Sequence, residues 1–171
     1  MRRNTEGIMS RNNNRKGFTL VELVVVIAII GVLAAILIPT MINYVKKSRL
    51  RSYNSNAKLV FTTAKTAATG IVAEGEVAHD VSFKCNIKDL ESGATDDYEK
   101  KLAAAIIAAL RDNGYSTGAT AITMDEKTHI GFAQWATSSD VEKGQIIGQY
   151  PDAPKNVEAS EGITFGTKYT P

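Results

Sequence analysis

An α+β fold, with a long N-terminal α-helix packed on a small antiparallel β-sheet head, follows from three features of the chain. An apolar run from Phe18 to Ile38 continues without Gly or Pro from Thr40 to Thr69 in a helical pattern. A second helix opens on Asp96-x-x-Glu99 and closes on Asn113-Gly114. Short strand-like runs separated by polar turns fill the remainder.

The elements follow in order. Residues 1 to 16 are polar, Asn-rich and basic, without periodicity, and read as a disordered cytoplasmic leader. Phe18 to Ile38 is 21 residues with Glu22 its single charge, about 31 Å of helix, which matches the hydrocarbon thickness of a bilayer. A secretory h-region is shorter, although small residues at Ala34 and Ala35 keep ordinary secretion as a rival. Beyond Pro39, Ile42, Val45, Tyr53, Ala57, Val60, Ala64, Ala67 and Ile71 recur mostly at three or four residues, opposite Lys46, Lys47, Arg49, Arg51 and Lys58. The helix is thus apolar all round in its first half and amphipathic in its second, to about Gly70, and the amphipathic stripe should dock on the head.

Residues 71 to 95 read as a long connection that has room for a short strand or turn. The second helix covers 97 to 112, and strands are expected at 119–124, 129–136, 145–150 and 162–169. Short links between consecutive strands favour an antiparallel sheet with one wet face and one face under the helix.

Charge and composition narrow the function. In 171 residues with 44% apolar content there is room for one modest globular core. Formal net charge is +2, of which residues 1 to 17 carry +4 and the rest −2. A near-neutral body offers no electrostatic footprint for nucleic acid, whereas a basic segment before an apolar run is held on the cytoplasmic side of a membrane. Cys85 is the one cysteine, which rules out an intramolecular disulfide and reads as a free buried thiol. His79 and His129 stand at no metal-ligand spacing, and no nucleophile elbow, P-loop or dinucleotide fingerprint is present. The expectation is therefore a non-enzymatic protein with no catalytic residue, metal or cofactor. His129 reads as a surface polar residue, Trp135 with Phe132 and Ile130 as sheet packing, and Asp96, Asp97 and Glu99 as helix capping.

The string Lys16-Gly17-Phe18-Thr19-Leu20-Val21-Glu22-Leu23, with the apolar run, Gly31 and Pro39 behind it, resembles the N-terminus of type IV prepilins, a signal shared by the pseudopilins of type II secretion and competence systems. The resemblance covers residues 15 to 40. It implies a pilin-like fold divided into a leader, 1–17, a transmembrane and assembly helix, 18–39, and an amphipathic continuation with its head, 40–171. It also implies cleavage between Gly17 and Phe18 by a membrane aspartic peptidase, the prepilin peptidase, and N-methylation of Phe18.

Gly at the cut lets the backbone extend into a catalytic site. Glu22 would neutralise the new amine of a neighbouring subunit, since an unpaired charge among packed apolar helices is costly; a capping or snorkelling role is the plainer alternative. Pro39 and Gly31 weaken the helix, so residues 31 to 39 would form a segment that melts on assembly, or else a static kink. Implied partners are further pilin copies, the prepilin peptidase, a platform membrane protein, an assembly ATPase and, before assembly, the membrane. The implied product is a surface filament for adhesion, motility, biofilm or DNA uptake, with a pseudopilin as the alternative. Without a second cysteine the chain cannot close the C-terminal disulfide loop of many Gram-negative major pilins, which favours a Gram-positive-type pilin.

Overall fold

The computed structural model describes residues 17–142 and 144–171. The expected leader, residues 1 to 16, lies outside the described residues. The chain divides into two units at Met41/Ile42. Helix α1, Leu20–Ala73, runs through both without a break at Gly31 or Pro39.

In the first unit nearly every side chain from Phe18 to Met41 is exposed. This segment is long and apolar enough to cross a membrane. Pro39 has no N–H to give, and the Thr40 hydroxyl donates to Leu37 O at 2.8 Å, so one carbonyl of the turn gains a side-chain partner.

The second unit is built on a four-stranded antiparallel sheet in sequence order: β1 Val81–Asn86, β2 Ala119–Met124, β3 Ile130–Ala136 and β4 Gly148–Tyr150. Helix α2, Asp97–Asp112, lies between β1 and β2 in the chain, with the bounds its capping signals predict. Pairings such as Phe83↔Ile122, Trp135↔Gly148 and Gln134↔Gln149 fix which residues share a face.

On one face Val81, Phe83, Ile122, Met124, Ala133 and Trp135 pack with Ala57, Val60, Ala64, Ala68 and Ile71 of α1 and with Tyr98, Leu102, Ala103, Ile106 and Leu110 of α2. The apolar stripe of α1 docks as predicted from Tyr53 onward, but Ile42 and Val45 are exposed, Leu50, which the stripe did not include, is buried, and Ala68 replaces Ala67 at full burial. The small side chains of this stripe let backbones approach closely. At Gly148 the approach is extreme: a Cβ there would run into the Tyr53 carbonyl.

One expectation is given its place and others change. The short strand allowed for in the connection 71–95 is the edge strand β1, placed at Val81–Asn86, whose Val81 and Phe83 face the core while Ser82 and Lys84 face out. The strand expected at 145–150 shortens to Gly148–Tyr150. Residues 162–169 form turns instead of a strand, and the second face of the sheet is wet only toward its β1 edge, at Ser82 and Lys84, instead of throughout. The C-terminal segment, with the short helix α3 at Val157–Glu161, covers the second face, where Phe165 packs with Ala119, Ala121, Phe132, Ala136 and Ile147.

Side chains supply the polar bonds a ladder would have made. Gln134 accepts from Gly166 N at 2.7 Å and donates to Thr167 O at 2.7 Å, and Gln149 accepts from Tyr169 N and donates to Tyr169 O, both at 2.8 Å. A 3.0 Å bond joins the two buried glutamines. They hold the C-terminal segment in a chain with no disulfide.

Candidate functional site

The residues singled out by the sequence, Gly17, Phe18, Glu22, Gly31 and Pro39, lie at the entrance of α1 or along roughly its first 29 Å, by the helical rise from Leu20 to Pro39. Gly17 and Phe18 precede the helix and are exposed, Phe18 at 89%. The Gly17–Phe18 bond therefore lies in backbone outside regular structure. A side chain at Gly17 would have no neighbour within 4 Å.

Thr19 and Glu22 are brought together, and the sequence reading missed this pair. Thr19 is the residue before the first helical turn. Its Oγ1 accepts from Glu22 N at 3.2 Å, while Glu22 Oε2 accepts from Thr19 N and from Thr19 Oγ1, both at 2.8 Å. This is a reciprocal capping box: two amides at the helix start that lack helical partners each find a side chain. The T-x-x-E spacing announces it, in the same form as the D-x-x-E at residue 96. Glu22 is thus held in one place at the positive end of the helix dipole. Its Oε1 accepts no hydrogen bond and no cation lies within 4 Å of it among the described residues. The arrangement leaves one carboxylate oxygen, with the charge, open to an incoming cation.

The remaining candidates behave as structural residues. Trp135 is buried and meets Tyr115 edge-on with centroids 5.5 Å apart. Asp96 accepts from Glu99 N at 2.8 Å, and Glu99 Oε2 accepts from Thr95 N at 2.6 Å. His129 is exposed beside Asp125. Cys85 is half-buried, less enclosed than expected; burial, with Asp89 adding, pushes its thiol up and disfavours the reactive thiolate. His79 Nε2 stands 2.6 Å from Asp96 Oδ2. Its pKa is raised first by the Asp80 carbonyl and then by Asp96, with burial opposing. No group of three metal-ligating side chains occurs among the described residues.

A capped, exposed, apolar N-terminal helix, with a segment long and apolar enough to cross a membrane, and a helix-backed antiparallel sheet make an α+β, pilin-like arrangement. The prokaryotic N-terminal methylation motif matches residues 12–38, which include every singled-out residue except Pro39. Along the longer chain, the type IV major alpha-pilin of Moraxella bovis is 32% identical over 127 residues, 71% of this chain and 76% of that protein. The chain belongs to the type IV pilin family. It is also 38% identical over 76 residues to the type IV major pilin protein PilA of Myxococcus xanthus, spanning 34% of that protein and 44% of this chain. The type IV major fimbrial protein FimA of Dichelobacter nodosus is 42% identical over 62 residues, 36% of this chain and 40% of its own length. No solved structure matches.

Proposed function

We propose that this chain is a prepilin that becomes the structural, non-enzymatic subunit of a type IV pilus. It is held in the cytoplasmic membrane by a single pass, with the basic leader inside and the head outside. Prepilin peptidase cuts between Gly17 and Phe18, Phe18 is N-methylated, and the mature chain polymerises through its N-terminal helix with a platform membrane protein and an assembly ATPase as further partners. Residues 31–39 extend during assembly, where Gly31 and Pro39 make the helix weakest. The filament serves at the cell surface.

The observation that carries the reading is the geometry of Glu22: a carboxylate fixed by Thr19 on one oxygen and open on the other, whose cap needs no charge, so that a charge kept in an exposed apolar helix calls for a cation to reach it. The new amine of a neighbouring Phe18 is that cation. The relatives named as major pilins and fimbrial proteins support a filament subunit over a pseudopilin.

Replacing Gly17 by Leu tests the reading. It should leave the chain in the membrane at precursor mass with no filament on the cell, because the Cβ and bulk obstruct close approach of the peptidase. Normal maturation and piliation of Gly17→Leu would count against it.

A further inference from the structure

Charge in the second unit is segregated by element. From Ile42 to Ala73, α1 carries six bases and no acid, whereas residues 74 to 171 carry nine bases against sixteen acids. Lys47, Arg51, Lys58 and Lys65 are spaced by 4, 7 and 7 residues, which sets them on one line along the helix for about 27 Å. All four are exposed. Lys46 has a carboxylate partner, Glu161 at 2.8 Å, but among the described residues none lies within 4 Å of the four on this line. Lys58 instead rests 5.6 Å above the Tyr150 ring. Like charges one turn apart, as at Lys47 and Arg51, destabilise a helix.

The far end of α1 breaks the opposite rule. Its last turn has no base, and acidic Glu74 and Glu76 follow at the negative end of the dipole. Lys101 bonds Glu76 at 2.8 Å. That bond, with Glu74 and Asp97 adding, pushes its amine up, so one cation stands among three acids. Glu74 and Asp97 are exposed and have no cation within 4 Å among the described residues.

We propose that the line Lys47, Arg51, Lys58 and Lys65 is a docking surface for the acidic head of a second copy of this chain, with Glu74 and Asp97 among its partners. Each of the two unfavourable arrangements in the isolated subunit is then relieved by the other. The two patches lie on different parts of the unit, so the contact is heterologous: each copy offers its stem to one neighbour and its head to another. Such a contact propagates as an open filament instead of closing as a dimer. Charge complementarity also fixes axial register and rejects juxtapositions of like sign. A nucleic acid could meet the same cations, but it would leave the acids at the end of α1 without a partner.

This inference rests on the filament reading and is tested in the full chain expressed in its own cells. Three charge-reversal variants are compared with wild type: Arg51→Glu with Lys58→Glu, Glu74→Lys with Asp97→Lys, and all four together. Sheared filament and processed, membrane-held subunit are quantified separately. Each double reversal should lower filament yield about tenfold while the processed subunit stays at wild-type level, and the fourfold variant should recover most of the yield. If a double variant loses the subunit itself, Arg51→Gln with Lys58→Gln replaces it and should give an intermediate yield.

Wild-type yield in the stem variants would overturn the inference and leave the filament reading intact, as would failure of the fourfold variant to recover. Normal filaments that lose only binding of added DNA would assign the stem to a polyanion and overturn it likewise. Processed wild-type chain that never forms a filament would overturn the filament reading and this inference together.

Discussion

Glu22 has two roles that the structure separates: it caps α1 through Thr19, and it presents a charge. Three substitutions distinguish them. Glu22→Gln keeps a capping box, because a Gln amide oxygen can accept the same Thr19 bonds, more weakly than a carboxylate, but removes the charge. Thr19→Ala removes the cap and keeps the charge. Glu22→Ala removes both. Loss of a cap costs about 1 kcal/mol, roughly fivefold in an equilibrium constant, whereas a charge left unpaired among packed helices costs about 3–5 kcal/mol, more than about a hundredfold per contact. Filament recovered by shearing, normalised to processed subunit, should therefore be near wild type for Thr19→Ala and absent for both Glu22 variants. Wild-type filament yield from Glu22→Gln, with a loss in Thr19→Ala, would refute the charge-pairing argument and leave capping as the residue's role.

Other substitutions test the head. Gly148→Ala should destabilise it by about 3 kcal/mol, roughly 10 °C in Tm, because the added Cβ meets the Tyr53 backbone and not a side chain that can swing away. Calorimetry or thermal circular dichroism checks this. Gln134→Leu should cost about 2–4 kcal/mol by leaving Gly166 N and Thr167 O without partners, and limited proteolysis should then cut first in 162–169. The raised pKa of His79 means that its stabilising contribution is complete below the ordinary value of 6.5 and is lost as pH rises through the raised value. Wild type should accordingly exceed His79→Gln in Tm at mildly acidic pH and converge with it in alkaline buffer. The opposite trend would deny the contact with Asp96.

Helix α2 was legible to the residue because its Asp96 cap, Glu99 and terminal Asn-Gly are local signals. The core stripe of α1 was legible as periodicity, except at Ile42 and Val45, where apolar character serves an exposed surface instead of the head. Strand β1 was legible only as a short strand allowed somewhere in 71–95, because Val81, Phe83 and Cys85 alternate over too few residues, between turn-forming Gly75 and Gly93, to fix its place. At residues 162–169 the alternation of Ile163 and Phe165 correctly reports two residues turned toward an apolar surface. Periodicity does not tell whether the backbone bonds to a strand or, as here, to the amides of Gln134 and Gln149. At the N-terminus the unusual charge of Glu22 was legible, but its partner Thr19 was not, although the T-x-x-E spacing that identifies it was as plain as the cap of α2.

The central claim concerns the mature N-terminus, and mass analysis of filament sheared from the native cells tests it most directly. The account predicts an intact mass and N-terminal peptide that begin at Phe18 with one added methyl group. A chain that begins after Ala34 or Ala35, or that retains Met1, would contradict it, because Glu22 would then be lost with a signal peptide or left without a neighbouring amine to neutralise.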